Sequence, residues 1–198
     1  MAEQKSWDER YSSNELPWDT GRPDTYLVRM VSRWPVRRGV VLDIGCGTGT
    51  NSLWLARQGF EVTGLDISQE AVAMARKRAD EEGAACTFVC GDFLTNDIVP
   101  ASVGFVFDRG CFHAVQEEDR NVFVDQVAQL LTPDGLWLSM IGNADDPMQD
   151  KGPPKLSARD ITAAMEPAFE ILHLESCMIE SRMGQPPRFW QCLLRKRS

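Results

Sequence analysis

Asp43-Ile44-Gly45-Cys46-Gly47-Thr48-Gly49 follows the short apolar run Val40-Val41-Leu42 and precedes a helical stretch over residues 51–58 that Gly59 stops. A glycine loop between a strand and a helix presents backbone N–H groups and a helix N-terminus to a ligand. Dinucleotide enzymes use the same device, so spacing has to separate the cases. Their fingerprint is G-x-G-x-x-G, which with glycines at 45 and 47 needs a third at position 50. Position 50 is Thr, and the third glycine is Gly49. The pattern is therefore D-x-G-x-G-x-G.

Outward from this loop, short β-like runs alternate with helical ones, as in a parallel sheet covered on both faces. Residues 61–65 read as the second strand. Ser68 caps a helix on which Ala71, Val72, Ala75 and Ala79 share a face. Thr87-Phe88-Val89 reads as the third strand and residues 104–107 as the fourth. Phe123, Val127, Leu130 and Leu131 form one helical stripe, after which Thr132-Pro133-Asp134-Gly135 turns the chain into a fifth strand over 136–141. Ser157-Ala158-Arg159-Asp160 has capping-box spacing before a helix with Ile161 and Met165. Two late strands, near 169–174 and 189–194, have no long helix between them and are expected to pair antiparallel at a sheet edge. The expected fold is α/β: a Rossmann-like, seven-stranded, mostly parallel sheet with helices on both faces and an antiparallel ending. Residues 1–35, with Trp7, Trp18 and Trp34, stand outside the alternation as an N-terminal cover. So does 142–155, rich in Asp, Gly and Pro.

Length and charge narrow the class. The 198 residues fit one domain with a sizeable core. A formal net charge of −8 repels phosphate backbones, so nucleic acid is not an expected partner. The basic ending Arg195-Lys196-Arg197 reads as a solvated tail. No leader or membrane-length apolar stretch is seen, so a cytoplasmic location is expected, with the six cysteines as thiols. Their spacing matches no zinc signature, and no metal is expected.

Two further acidic residues follow the glycine loop in order. Asp66 ends the second strand, where a carboxylate accepts both hydroxyls of a ribose; its plainer reading is a helix cap. Asp92, in Gly91-Asp92-Phe93 after the third strand, reads alone as an Asx-turn. Together these motifs resemble class I S-adenosylmethionine-dependent methyltransferases over residues 38–140. The resemblance implies S-adenosylmethionine as cofactor and S-adenosylhomocysteine as product. It implies Asp43, Gly45, Cys46 and Gly47 around the amino-acid end, Asp66 and Ile67 at the ribose, and Asp92 and Phe93 at the adenine. The flanks, Trp7-Asp8-Glu9-Arg10-Tyr11 and Pro17-Trp18-Asp19-Thr20-Gly21-Arg22-Pro23, resemble the thiopurine/thiol/halide S-methyltransferase family. So do Asp108-Arg109-Gly110 and Gly152-Pro153-Pro154. By this resemblance 1–198 is one methyltransferase domain, with 1–35 as cover, 38–140 as cofactor core and 141–198 as the acceptor side.

Physically such a cover is apt, because aromatic faces stabilise a sulfonium and exclude water. Trp18 is the leading candidate for that wall. Trp7 and Tyr11 read equally as lid and as aromatic staple, and Trp34 reads as packing. Beyond the fourth strand, Asp108, Arg109 and His113 are the catalytic candidates. Arg109 is expected to face the cofactor carboxylate or an anionic acceptor, with Asp108, also beside the cofactor, pairing with it or orienting it. His113 is a candidate base, although a lone His is commonly a capping or packing residue. Cys111 reads as a small buried residue, and Arg182 and Arg188 as surface charges able to reach the pocket. A thiol is partly ionised at neutral pH and needs no strong base, whereas a phenol or amine needs one. The expected partner is a small-molecule acceptor, most simply a thiol or thiopurine-like heteroatom. Neither nucleic acid nor a membrane is expected, and the chain would act as monomer or homodimer. Alternatives are O- or N-methylation of small aromatic heterocycles, quinones or toxins, and a S-adenosylmethionine-sensing module without turnover.

Overall fold

A computed structural model describes residues 6–34, 36, 39–95, 103–147, 154–182 and 185–197. Its elements are α1 (Trp7–Ser12), α2 (Thr25–Arg33), β1 (Val40–Ile44), α3 (Thr50–Arg57), β2 (Glu61–Asp66), α4 (Gln69–Glu82), β3 (Cys86–Cys90), β4 (Val103–Arg109), α5 (Arg120–Leu130), β5 (Leu131–Gly142), α6 (Ala158–Met165), β6 (Phe169–Met178) and β7 (Arg188–Lys196). The seven strands form one sheet in the order β3-β2-β1-β4-β5-β7-β6. The first five run parallel, and β7 pairs antiparallel with both β5 and β6. The expected sheet and its antiparallel ending are thus present.

Strand alternation divides the core between two faces. Leu42, Val106 and Trp137 point to the side covered by Phe123 and Val127 of α5 and Ile161 and Met165 of α6. Val41, Phe105, Phe107 and Leu138 point to the other, against Leu27 and Met30 of α2 and Leu55 of α3. Local chemistry fixes the helix starts. The Asp24 carboxylate accepts the N–H groups of Tyr26 and Leu27, Ser68 accepts that of Ala71, and Ser157 with Asp160 closes the expected capping box. Each such cap contributes about 1 kcal/mol.

Three expectations need correction. Leu131 does not close the α5 stripe; it begins β5, pairing with Val103, and the ladder resumes at Leu136 opposite Phe105. Residues 132–135 bulge from it because Pro133 has no N–H to donate and Asp134 is left-handed, at φ 62. The basic ending is no solvated tail. Arg195 pairs with Glu170, Lys196 Nζ donates to the Leu131 carbonyl at 2.7 Å, and the Arg197 N–H donates to the Ala168 carbonyl. Trp34, expected to pack, ends α2 at the surface, 36% exposed.

Candidate functional site

The strand order reverses between β1 and β4, and in an open parallel sheet the crevice beyond the carboxyl ends of the strands at that point is where a ligand fits. Asp43, Asp66 and Asp108 lie on those carboxyl-end segments, and Asp92 follows β3. The glycine loop has left-handed backbone at Gly45, Gly47 and Gly49. Its shape is enforced from outside. A Cβ on Gly45 would lie 3.0 Å from the Cys111 Cβ, one on Gly47 2.9 Å from the Tyr11 hydroxyl, and one on Gly49 2.9 Å from Phe88. The N–H groups of Gly45 and Cys46 donate to the Leu65 carbonyl, and that of Gly47 to Asp66 Oδ2 at 2.8 Å. The first three N–H groups of the loop therefore tie it to β2 and do not point freely into the crevice.

Asp66 is buried, its Oδ1 accepting the Ser68 N–H at 2.9 Å. A carboxylate has about four lone-pair sites, so two remain for further donors. Burial raises its pKa, and the two backbone N–H groups oppose this. Asp43, also buried, accepts the Ser52 hydroxyl at 2.5 Å. Burial pushes it up to about 7, with Asp66 and Asp108 adding their repulsion. Asp92 forms the Asx-turn, its Oδ1 accepting the Leu94 N–H. The Phe93 ring packs inward on Phe123 with centroids 4.6 Å apart, whereas Ile67 is 55% exposed beside Asp66.

The N-terminal cover closes over this loop. Tyr11 is buried, its ring edge-on to Trp18, which also meets Trp7 edge-on at 5.8 Å. Burial and the nearby Asp66 carboxylate raise the Tyr11 phenol well above its ordinary pKa. Two acidic residues that hold the cover had no sequence signal. Asp8 accepts the Ser68 hydroxyl at 2.5 Å. Asp19 accepts the Thr48 hydroxyl at 2.7 Å and that of Thr50 at 3.3 Å, and Arg78 donates to both threonines. Burial works against ionisation of Asp19, but Thr48, the Gly21 N–H and Arg78 outweigh it and hold its carboxyl below the usual range.

Beyond β4, the expected pairing of Asp108 with Arg109 is absent. Neighbours in a strand point to opposite faces. Asp108 turns inward, accepting the Phe112 N–H at 3.1 Å and the Trp137 indole at 2.9 Å, and burial pushes it up to about 6. Arg109 turns toward the cover and pairs with Asp24 at 2.8 Å. His113 is buried, its Nδ1 accepting the Gly142 N–H at 2.5 Å, and burial pushes its pKa down to about 3. It is a neutral acceptor that terminates β5. Partly buried Cys111 lies against Gly45. Arg188 donates to the Asp145 carbonyl, and the Arg182 N–H donates to that of Pro17. Gly152 and Pro153 lie outside the described residues. No group of His, Cys, Asp and Glu suited to a metal occurs among the described residues.

Comparison with known proteins adds the lineage. A family model described as thiopurine S-methyltransferase matches residues 2–189. The probable thiol methyltransferase 2 of Arabidopsis thaliana is 30% identical over 195 residues, covering 95% of this chain and 83% of its own. Thiocyanate methyltransferase 1 of Brassica oleracea is 31% identical over 157 residues, covering 77% and 67%. A 2-heptyl-1-hydroxyquinolin-4(1H)-one methyltransferase of Mycobacteroides abscessus is 26% identical, covering 73% and 64%. Among solved structures, the Burkholderia thailandensis 1,6-didemethyltoxoflavin-N1-methyltransferase with S-adenosylhomocysteine superposes with a TM-score of 0.77 at 18% identity, covering 96% of this chain and 85% of that one.

Proposed function

The chain belongs to the thiopurine S-methyltransferase family and is an S-adenosylmethionine-dependent methyltransferase of small molecules, and we propose that its acceptor is a thiol or thiopurine-like heteroatom nucleophile. Within this reading 1–198 is a single methyltransferase domain acting in the cytoplasm. No helix among the described residues is long and apolar enough to cross a membrane.

The residues present fit the cofactor. Asp43 and Asp66 are buried acids whose hydrogen-bond partners are hydroxyl and N–H groups, which suits a cationic ligand bearing a ribose diol. Bound S-adenosylmethionine supplies a methyl group already activated on a sulfonium. In this reading Asp43 holds the ammonium end, Asp66 accepts the ribose hydroxyls with its two remaining sites, and Asp92 receives the adenine amino group. Ile67 flanks the ribose beside Asp66, and the backbone of Phe93 meets the adenine ring while its side chain anchors the turn. Tyr11, Trp18 and Trp7 form the aromatic wall that excludes water.

One observation carries the choice of acceptor: the three candidates at and just beyond the end of β4, Asp108, Arg109 and His113, are already engaged. Asp108 holds Phe112 and Trp137, His113 holds Gly142, and Arg109 holds Asp24. A thiol, with an ordinary pKa of about 8.5, supplies its own thiolate and needs only alignment. The test is methyl transfer from labelled cofactor to a panel of thiols, thiopurines, phenols and amines. Thiol products are expected, and transfer confined to phenols or amines would refute the acceptor assignment. For the cofactor site, Asp66→Ala is expected to weaken S-adenosylhomocysteine binding at least roughly tenfold through lost charge-assisted hydrogen bonds. Unchanged calorimetric affinity would remove Asp66 from the ribose.

A further inference from the structure

Arg109, the last residue of β4, distributes its guanidinium over two stretches of chain far apart in sequence. Nε donates to Asp24 Oδ2 at 2.8 Å, Nη1 to the Trp18 carbonyl at 3.1 Å and Nη2 to the Glu180 carbonyl at 2.9 Å. We propose that Arg109 and Asp24 form a clasp that holds the N-terminal cover shut on the glycine loop, making both positioning residues that act through Trp18. The proposal rests on the cofactor reading above.

The connectivity argues for this role. Asp24 Oδ1 caps α2, and the Asp24 N–H donates to Asn51 Oδ1 at 2.8 Å, on the helix that the glycine loop opens. Asp24 thus ties the cover, the loop's helix and β4 at one point. The ion pair is largely withdrawn from water, its side chains 13% and 4% exposed. Screening therefore weakens it far less than Arg22–Glu180, whose side chains are 72% and 45% exposed. Beside it, the Pro17 carbonyl accepts the Ser181 hydroxyl and the Arg182 N–H, so the chain after β6 holds the same stretch of cover. Trp18 lies between these attachments, its backbone fixed by Arg109 and its ring set edge-on to Tyr11. The planar fork of an arginine satisfies three divergent acceptors at once, which a lysine ammonium on a flexible stem does not reproduce. With these donors committed, Arg109 acts on the shape of the closed site and not on the reacting atoms.

Asp24→Asn separates the clasp from the cap, because Asn caps a helix as well as Asp. In the full chain, Asp24→Asn is expected to raise the S-adenosylhomocysteine Kd and the cofactor KM roughly tenfold, with kcat within about threefold, as expected for loss of one charge-assisted contact. Arg109→Lys is expected to change the same constants in the same direction, and carries the test should Asp24→Asn not fold. Wild-type Kd and KM in Asp24→Asn would overturn the clasp. A hundredfold fall in kcat for Arg109→Lys with product affinity intact would overturn it too, because Arg109 would then act on the reacting atoms. Failure of the wild-type chain to bind S-adenosylhomocysteine would overturn the cofactor reading and the clasp with it.

Discussion

Asp43→Asn removes a buried carboxyl while keeping an oxygen for the Ser52 hydroxyl. Burial pushes the Asp43 pKa from 3.8 up to about 7, with Ser52 opposing and Asp66 and Asp108 reinforcing the shift. The folded chain therefore binds this proton more tightly than the unfolded one. The stabilisation is fully present below about pH 4 and is lost as pH rises through 7. Three pKa units correspond to on the order of 4 kcal/mol. Urea unfolding at several pH values from 4 to 8 measures this directly. The stability of Asp43→Asn relative to wild type is expected to climb by up to that amount across the range and to level off above pH 7. Asp108, with its pKa raised to about 6, and His113, lowered to about 3, titrate in both proteins and largely cancel in the difference. A pH-independent difference would refute the reasoning. A cationic ammonium beside Asp43 should reverse the shift. Calorimetry at pH 6 in buffers of different ionisation enthalpy should accordingly show S-adenosylhomocysteine binding releasing a proton from wild type but not from Asp43→Asn.

His113→Ala strips the Gly142 N–H of its acceptor and is expected to cost about 1–3 kcal/mol in unfolding experiments. Because burial lowers the His113 pKa from 6.5 to about 3, wild type loses stability as pH falls through that window, and the variant should lack this limb. The pH–rate profile with a thiol acceptor should keep its shape, and loss of an essential group near neutrality would restore His113 as a base. Gly49→Ala meets Phe88 at 2.9 Å and Ala75 at 3.1 Å at a φ of +80, whereas Gly83→Ala at +60 meets nothing within 4 Å. Gly83→Ala should cost about 1–2 kcal/mol for left-handed backbone alone. Gly49→Ala should cost distinctly more, and equal losses would deny the packing contribution.

What the sequence disclosed was whatever local chemistry decides. Glycine spacing, the Ser68 and Ser157 caps and the apolar runs placed the loop, four helices and all seven strands, with strand ends off by up to five residues. Leu131 misled because an apolar residue continues a helical stripe and starts a strand equally well; only the ladder with Val103 decides between them. The acidic residues at the strand ends were legible because a repeated topology puts them there. The partner of Arg109 was not. Nothing local to Asp24 states that a residue 85 positions on would pair with its carboxylate. Asp8 and Asp19 escaped notice for the same reason, since their partners Ser68 and Thr48 are brought to them only by the folded cover.

Two thiols lie at the glycine loop of a chain that transfers methyl groups. An alkylating sulfonium reacts with thiolates; Cys46 belongs to the glycine loop and Cys111 lies against its Gly45. Burial, with the repulsion of Asp43 on one and Asp108 on the other, raises both far above the ordinary thiol range. Burial likewise pushes Cys86, Cys177 and Cys192 up to about 12. The acids suited to holding a cation thereby also keep the nearest sulfur atoms protonated and unreactive. A methyltransferase built this way keeps the thiols of Cys46 and Cys111 in their poorly nucleophilic form beside its glycine loop.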